Sequence, residues 1–492
     1  MIQIDPFDPT GNSPYITDIN EVLSWGLPVL DIQTENDEEP WFEKVTHPEG
    51  SMGEGITNTN KIPGSVTRYE ANGDISYNSG DYKKKESGMT IKVRGNTSAY
   101  TSKKPYKIKL EKKADLLVRG DKKYNDKNWV LLKDPDMRIR NGFWVNGIME
   151  MDWTPACEYV NVMFNGKYRG LYLLCEAVEQ NEKCRIDVSE SGFIIEFDAY
   201  WWNEDGAYLN SMYLPRYGYS FKYPDYEDIT PEQLEWMQNH INEYESSMLD
   251  GSYEKYIDIE SFANFLLAHD ILGTYDGGGS NKFLSKYDNT SESKIRRPLL
   301  WDFDSTEGYG NNSDQPSAMH YFYKKEYGDL FNLEQLNPFM KAYCAKWLDV
   351  KERVFEDMVL NLVDYQDSEA SKYFDTSAEQ DNLLWETLNN KSAVNTERAI
   401  DWYTNRHDWM NNWLAEISKK YSDDLTSVEL PKIEEFYKIV GRQIIAHDCQ
   451  NIILYSLQGQ IVKQSNVGVI TVPSPGMYLL KIGQTIDKVV VR

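Results

Sequence analysis

An α+β body with a small all-β unit at its C-terminus follows from the order of hydrophobic periods along the chain. Period two dominates to about Pro224, a period near 3.6 governs from Pro231 to about residue 420, and short Val- and Ile-rich runs return from about residue 425. At 492 residues the chain exceeds what one hydrophobic core serves. The predicted units are a β-rich region over 1–180, a mainly helical region over 181–424 and a β module over 425–492.

The elements follow in order. Leu27–Ile32 reads as a first strand, and residues 35–88 as short strand-like pieces between turn signals. Met89–Val93 and Tyr106–Leu110 predict two strands joined by the loop 94–105. In the second strand Tyr106, Ile108 and Leu110 share one face and Lys107 and Lys109 the other. Asp134–Met151 predicts a helix with Met137, Ile139, Phe143, Trp144 and Ile148 as its apolar set. Tyr159–Phe164 and Tyr168–Leu174 flank Asn165-Gly166, the dipeptide of a type I′ hairpin. Leu171–Ala177 reads as a central core strand or as a hinge beside a nucleotide, and Gly192–Asp198 as a further strand. Thr230-Pro231-Glu232-Gln233 is a capping box with proline at the first helical position. Leu234, Met237, Ile241, Tyr244 and Met248 then recur at helical spacing. A helix from about Asp258 carries Phe262, Phe265, Leu266 and Leu272. Residues 331–420 are mostly helical, ending on a stripe of Ile400, Tyr403, Trp409, Trp413 and Ile417. Turns at Leu457–Gly459 and Pro473–Gly476 punctuate the last unit.

Composition narrows the function. The chain carries 52 basic against 78 acidic residues, a net charge of −26. Such a field repels nucleic acid and anionic membranes and favours basic or neutral partners. No run of about 18 apolar residues predicts a membrane-spanning helix. Five cysteines without CxxC spacing predict neither a zinc site nor a disulfide framework. The absence of GxSxG, HExxH and an acid-followed GxGxxG removes serine hydrolase, zincin and Rossmann readings. Residues 1–24 lack a basic stretch followed by an apolar one, so they do not read as a secretory signal.

The most informative stretch is 270–310. It sets Asp276, then Asn281, then Asp302-Phe303-Asp304, the order in which protein kinases assemble their metal and catalytic centre. Triphosphate chemistry requires divalent cations and an oriented hydroxyl, which hard oxygen ligands supply. Pairing of Phe283–Tyr287 with Pro298–Trp301 as a hairpin is expected to bring Asn281 and Asp302 to one end. Two carboxylates about 4 Å apart repel by roughly 4 kcal/mol at an effective dielectric near 20, a cost that a cation removes. The plain alternative is an ordinary Asp-Gly turn. Arg94–Ser98 followed by Lys103-Lys104 presents backbone N–H groups and positive charge suited to phosphate, against the alternative of a surface loop with solvated lysines. Glu176 is expected to pair with a lysine of the 104–109 region or to contact a nucleotide. His269-Asp270 reads as a helix terminus rather than a catalytic dyad.

These stretches together resemble the bacterial spore-coat CotH kinase family of atypical protein kinases. The resemblance rests on Ile91–Ser98 with Lys103–Leu110, Trp129–Leu132 with Arg140-Asn141, Tyr159–Glu176, Tyr275-Asp276-Gly277 and Trp301–Asp304. It implies a two-lobed kinase-like fold and ATP-dependent phosphorylation of protein Ser or Thr with Mg²⁺ or Mn²⁺. Asp276 is the implied catalytic aspartate, and Asn281 and Asp302 are metal ligands with Asp304 an outer one. Arg94 and Lys104 are phosphate contacts, with Lys107 or Lys109 the alternative. The chain departs from ordinary kinases in lacking HRD and in having Asp-Phe-Asp for Asp-Phe-Gly. Residues 450–492 resemble the C-terminal sorting domain of some Gram-negative bacteria, which implies a β-sandwich, an export machinery as partner and a cell-surface or extracellular location. Two rival readings stand beside the kinase: an inactive kinase-fold surface protein that binds protein or glycan, and a glycoside hydrolase using Asp276 and Asp302.

Overall fold

The computed structural model describes residues 16–47, 54–57, 60–134, 136–203, 208–274, 280–307, 337–385 and 396–421. In the C-terminal part it describes 437–440, 442–446, 452–456, 460–466, 468–474, 476–482 and 485–491. It is a mixed α+β structure, β-rich at its N-terminal end, helical further on, and closed by small sheets.

The strands of the main N-terminal sheet are Val29–Thr34 (β1), Ile62–Tyr69 (β2), Ile75–Asn78 (β3), Met89–Val93 (β4), Tyr106–Ala114 (β5), Asp126–Leu132 (β6), Cys157–Phe164 (β7) and Lys167–Glu176 (β8). They hydrogen-bond in the order β1-β7-β8-β6-β5-β4-β2, with β3 beside β2, and β2 returns to pair with β1. The sheet is therefore a closed barrel, which abolishes the unpaired edges that an open sheet leaves. Buried and half-exposed residues alternate along β2 and β4. Their inward set fills the barrel with Ile32, Val66, Ile91, Ile108, Val162 and Tyr172. Closure uses a parallel β1–β7 pairing across about 130 residues, which no local pattern announces.

The predicted hairpin is present between β7 and β8, with Asn165 at φ 49° and Gly166 at φ 72°. The expected helix forms over Arg138–Ile148 (α1). Asp134, four residues ahead of it, accepts hydrogen bonds from the Ile139 and Arg140 N–H groups, each at 3.0 Å, and from the Tyr159 hydroxyl at 2.6 Å. These bonds satisfy N–H groups that the first turn leaves unpaired.

A second, antiparallel sheet has the order β10-β11-β9-β12, from Phe193–Asp198 (β9), Tyr208–Asn210 (β10), Gly218–Tyr223 (β11) and Lys282–Lys286 (β12). Helices Pro231–Asp250 (α2) and Ile259–Leu272 (α3) share its apolar core through Ile241, Tyr244, Phe262 and Leu266. The Thr230–Gln233 capping box is present in both directions, and Asp258 caps α3. Helices Asn337–Gln366 (α4), Glu369–Trp385 (α5) and Thr396–Tyr421 (α6) complete the body.

One expectation is corrected. Phe283–Tyr287 and Pro298–Trp301 do not form a hairpin; β12 pairs along its length with β9, and only Ser285 bridges to Arg296. Pro298 has no N–H to offer a ladder, and the Leu300 N–H donates to the Asn146 side chain at 2.8 Å.

The last strands are Tyr437–Val440 (β13), Gln443–Ala446 (β14), Ile452–Tyr455 (β15), Ile461–Ser465 (β16), Val469–Thr471 (β17), Gly476–Ile482 (β18) and Thr485–Val491 (β19). They make two small sheets, β13-β14-β17 and β16-β15-β18-β19. Ile444 and Ile470 of the first share one apolar cluster with Leu454 and Leu480 of the second. The predicted turn at Leu457–Gly459 lies outside the described residues.

Candidate active site

The site is assembled from three segments that the fold brings together. The first is the loop 94–105 between β4 and β5. The Arg94 N–H donates to the Pro105 carbonyl at 3.0 Å and closes the loop at its base. Gly95 has φ 78° and lies so close to the Ser98 hydroxyl that a Cβ there would overlap it, so the turn requires glycine. Lys104 points its ammonium back into the loop, onto the Ala99 and Thr101 carbonyls at 2.8 Å each. Lys103 is buried and leaves the loop altogether, pairing with Asp381 of α5 at 2.6 Å.

The second segment is the edge of β9 with the residues entering β12. The Asn281 N–H donates to Glu196 Oε1 at 2.9 Å, and Ser280 Oγ donates to Asp198 Oδ1 at 2.7 Å. Lys222 of β11 pairs with Glu196 Oε2 at 2.8 Å. Burial, followed by repulsion from Glu196, pushes the Asp198 carboxyl up to about 7.

The third segment is Trp301–Asp304. Asn281 Nδ2 donates to Asp302 Oδ2 at 2.7 Å, so the amide and the carboxylate that the sequence sets 21 residues apart meet. Both residues have left-handed backbone, Asn281 at φ 65° and Asp302 at φ 67°. Such conformations in non-glycine residues concentrate at functional sites. Arg94 lies 5.9 Å from the centre of the Trp301 ring, and the charges of Asp302 and Glu196 oppose the lowering of its pKa by burial. Asp304 is exposed, and its backbone carbonyl accepts from Arg138.

Phe303 anchors this segment. It is fully buried, sits edge-on to Phe143 at 5.5 Å and fills the notch left by Gly142. Just downstream, buried Glu307 accepts from Asn141 Nδ2, the Tyr403 hydroxyl and Arg398, each at 2.9 Å.

The other expected residues lie as follows. Asp276 falls outside the described residues. Glu176 does not reach the lysines; it pairs with Arg119 at 2.8 Å and accepts from the Ala156 N–H at 3.0 Å. Lys107 lines a cavity of about 410 Å³ between the barrel wall and the second sheet, together with Lys92, Lys109, Lys222, Tyr223 and Glu179. Burial lowers its pKa; Glu179, 3.8 Å away, opposes this, and Lys222, Lys109 and Arg94 reinforce it. His269 and Asp270 are buried at the end of α3, where the Tyr343 hydroxyl donates to Asp270 at 2.7 Å.

Three residues were not singled out from sequence. Glu196 and Asp198 stand two apart on an otherwise apolar strand, a spacing that places both carboxylates on one face. Lys133 donates to Thr101 Oγ1 at 2.6 Å and Ser98 O at 3.3 Å, beside Asp304 and Asp302. Burial, then repulsion from Lys103, lowers its pKa to about 8.

Among the described residues no group of three or more His, Cys, Asp or Glu side chains is arranged to hold a metal ion. The Asn281–Asp302 pair supplies hard oxygen donors of the kind that a Mg²⁺ site takes in ones and twos, leaving the other positions to phosphate and water. The donor chemistry therefore fits a divalent cation. Among the described residues no helix is long and apolar enough to cross a membrane.

A closed barrel, a second antiparallel sheet carrying Glu196 and Asp198, and the Asn281–Asp302 contact define a mixed α+β protein with an acidic site. The chain belongs to the CotH kinase protein family, whose model matches residues 91–410. It is also similar to the inner spore coat protein H of Bacillus subtilis (strain 168), at 23% identity over 189 residues. That match covers 38% of this chain and 51% of the relative, so the chain spans about half the length of the curated protein it matches.

Proposed function

We propose that this protein is a CotH-like atypical kinase that transfers the γ-phosphoryl group of ATP to Ser or Thr of a protein. The observation that carries the reading is the 2.7 Å contact between Asn281 and Asp302, with Arg94 and Lys133 set against the same acidic segment. Asp302 and Asn281 would hold Mg²⁺ or Mn²⁺, with Asp304 outside them, and the ion when bound neutralises phosphate oxygens. Arg94 and Lys133 would orient the phosphates and offset their charge. The lysine-lined cavity next to Arg94 would take the remainder of the nucleotide. Lys104, turned onto its own loop, would act by holding that loop in shape. Asp276 would orient the acceptor hydroxyl and take its proton as the new P–O bond forms and the bond to ADP breaks. The net charge of −26 favours a basic acceptor, and the resemblance of residues 450–492 to a sorting domain favours export to the cell surface.

Incubation with γ-labelled ATP and Mn²⁺ beside Asp276→Ala tests the reading. Label on the wild-type protein or on a basic acceptor, lost in the variant, is the expected result. No transfer under Mg²⁺ or Mn²⁺ would leave the surface binding protein as the better account.

A further inference from the structure

We infer that Cys157 and Cys175 form a cross-strand disulfide site in the barrel wall, closed by thiol–disulfide exchange with a small-molecule disulfide. The two residues are direct partners in the β7–β8 ladder. A bulge at Arg169 creates that partnership: the register runs Tyr168 to Met163, then Gly170 to Val162, and continues to Cys175 opposite Cys157. Without the extra residue, Cys157 would face Leu174 and the thiols would point to opposite faces.

The position within the ladder is the favourable one. The Glu176 N–H donates to the Ala156 carbonyl at 3.1 Å, so this hydrogen bond flanks the cysteine pair rather than joining it. Such a non-hydrogen-bonded pair holds its Cα atoms about 4.5 Å apart, inside the range that a disulfide spans. Both side chains lie on the face turned to the helical body rather than into the barrel. The Cys175 thiol donates to the Leu173 carbonyl at 3.7 Å, and Cys157 and Arg94 are among its electrostatic neighbours.

Accessibility sets the order of steps. Cys157 is partly exposed and Cys175 is buried. The Cys157 thiolate attacks the small disulfide RSSR, forming a mixed disulfide and releasing one RSH. Cys175, whose thiol burial holds protonated, then loses its proton to solvent and attacks the Cys157 sulfur. The protein disulfide forms and the second RSH leaves. Two protein thiols are oxidised and one RSSR is reduced.

The test is incubation of the folded full-length protein in oxidised and reduced glutathione, acid quenching, alkylation and a non-reducing tryptic map. Cleavage after Lys167, Arg169 and Lys183 places Cys157, Cys175 and Cys184 on separate peptides. The expected result is a linked Cys157–Cys175 peptide that grows with the proportion of oxidised glutathione, with two thiols lost per chain. Cys184→Ser is expected to leave that peptide unchanged. Recovery of Cys157 only as a glutathione adduct, linked to Cys184, or fully alkylated would overturn the inference.

Discussion

Phe303 lies directly over Gly142, so close that a methyl group on Gly142 would overlap the ring. The contact ties α1 to the segment carrying Asp302 and Asp304, and it explains why a glycine stands inside a helix that its propensity weakens. Gly142→Ala forces the ring out of its notch. Overpacking of this kind costs about 1–3 kcal/mol. Guanidinium unfolding is expected to show a loss of that order, accompanied by weaker nucleotide binding because Asp302 moves with Phe303.

Lys133 gives a pH-dependent expectation. With its pKa lowered to about 8, the ammonium loses its proton as pH rises through that value. Nucleotide affinity is therefore expected to weaken between pH 7 and 9. Lys133→Met should lose about 10- to 100-fold in affinity at pH 7, as for a charge-assisted hydrogen bond of roughly 1.5–3 kcal/mol. Lys133→Arg should keep binding at pH 9. Calorimetric titration of ATP at both pH values checks this.

Much of this layout is legible in the sequence, and the part that is not has a physical cause. Asn165-Gly166, the Thr230–Gln233 box and the Asp258 cap are local devices whose geometry depends on neighbours within a few residues. The sequence predicts the encounter of Asn281 with Asp302 through a hairpin of Phe283–Tyr287 with Pro298–Trp301, and that hairpin is not what brings them together. β9 holds Asn281 through Glu196, and Phe303 holds Asp302. Barrel closure through β1 and the Lys103–Asp381 pair join residues about 130 and 278 positions apart. Neither leaves a periodic trace. The bulge at Arg169 is equally silent, and it alone decides which residue Cys157 faces.

The Lys103–Asp381 pair couples the barrel loop to α5. Both side chains are almost wholly buried, and Asp381 Oδ1 also accepts the Leu171 N–H at 2.9 Å. Asp381→Asn keeps the shape but removes the charge facing a buried ammonium. Breaking a buried pair in this way costs about 3–5 kcal/mol. A lowered denaturation midpoint is expected, and adding Lys103→Met is expected to recover part of the loss, because the stranded charge is then gone.

Stability should fall as pH rises from about 4 to 7. Burial pushes the Asp270 carboxyl from 3.8 up to about 7, against the opposing effects of Arg406 and the Tyr343 hydroxyl. The folded protein thus binds this proton more tightly than the unfolded chain does. Its contribution is present below the unfolded pKa and is lost as pH passes through the folded one. Three units set a ceiling of about 4 kcal/mol, and local relaxation leaves an expected ~1–3 kcal/mol. Urea unfolding at pH 5 and 8 should show this decline in the wild type and a flatter profile in Asp270→Asn.

The central claim is that Asn281 and Asp302 jointly hold a divalent cation against a nucleotide. Thermal unfolding with ATP and Mn²⁺, in the wild type and in Asp302→Ala, tests it most directly. A rise in Tm that needs both ATP and Mn²⁺ and disappears in the variant is the predicted result. An equal rise in Asp302→Ala, or no rise in the wild type with either Mg²⁺ or Mn²⁺, would contradict it.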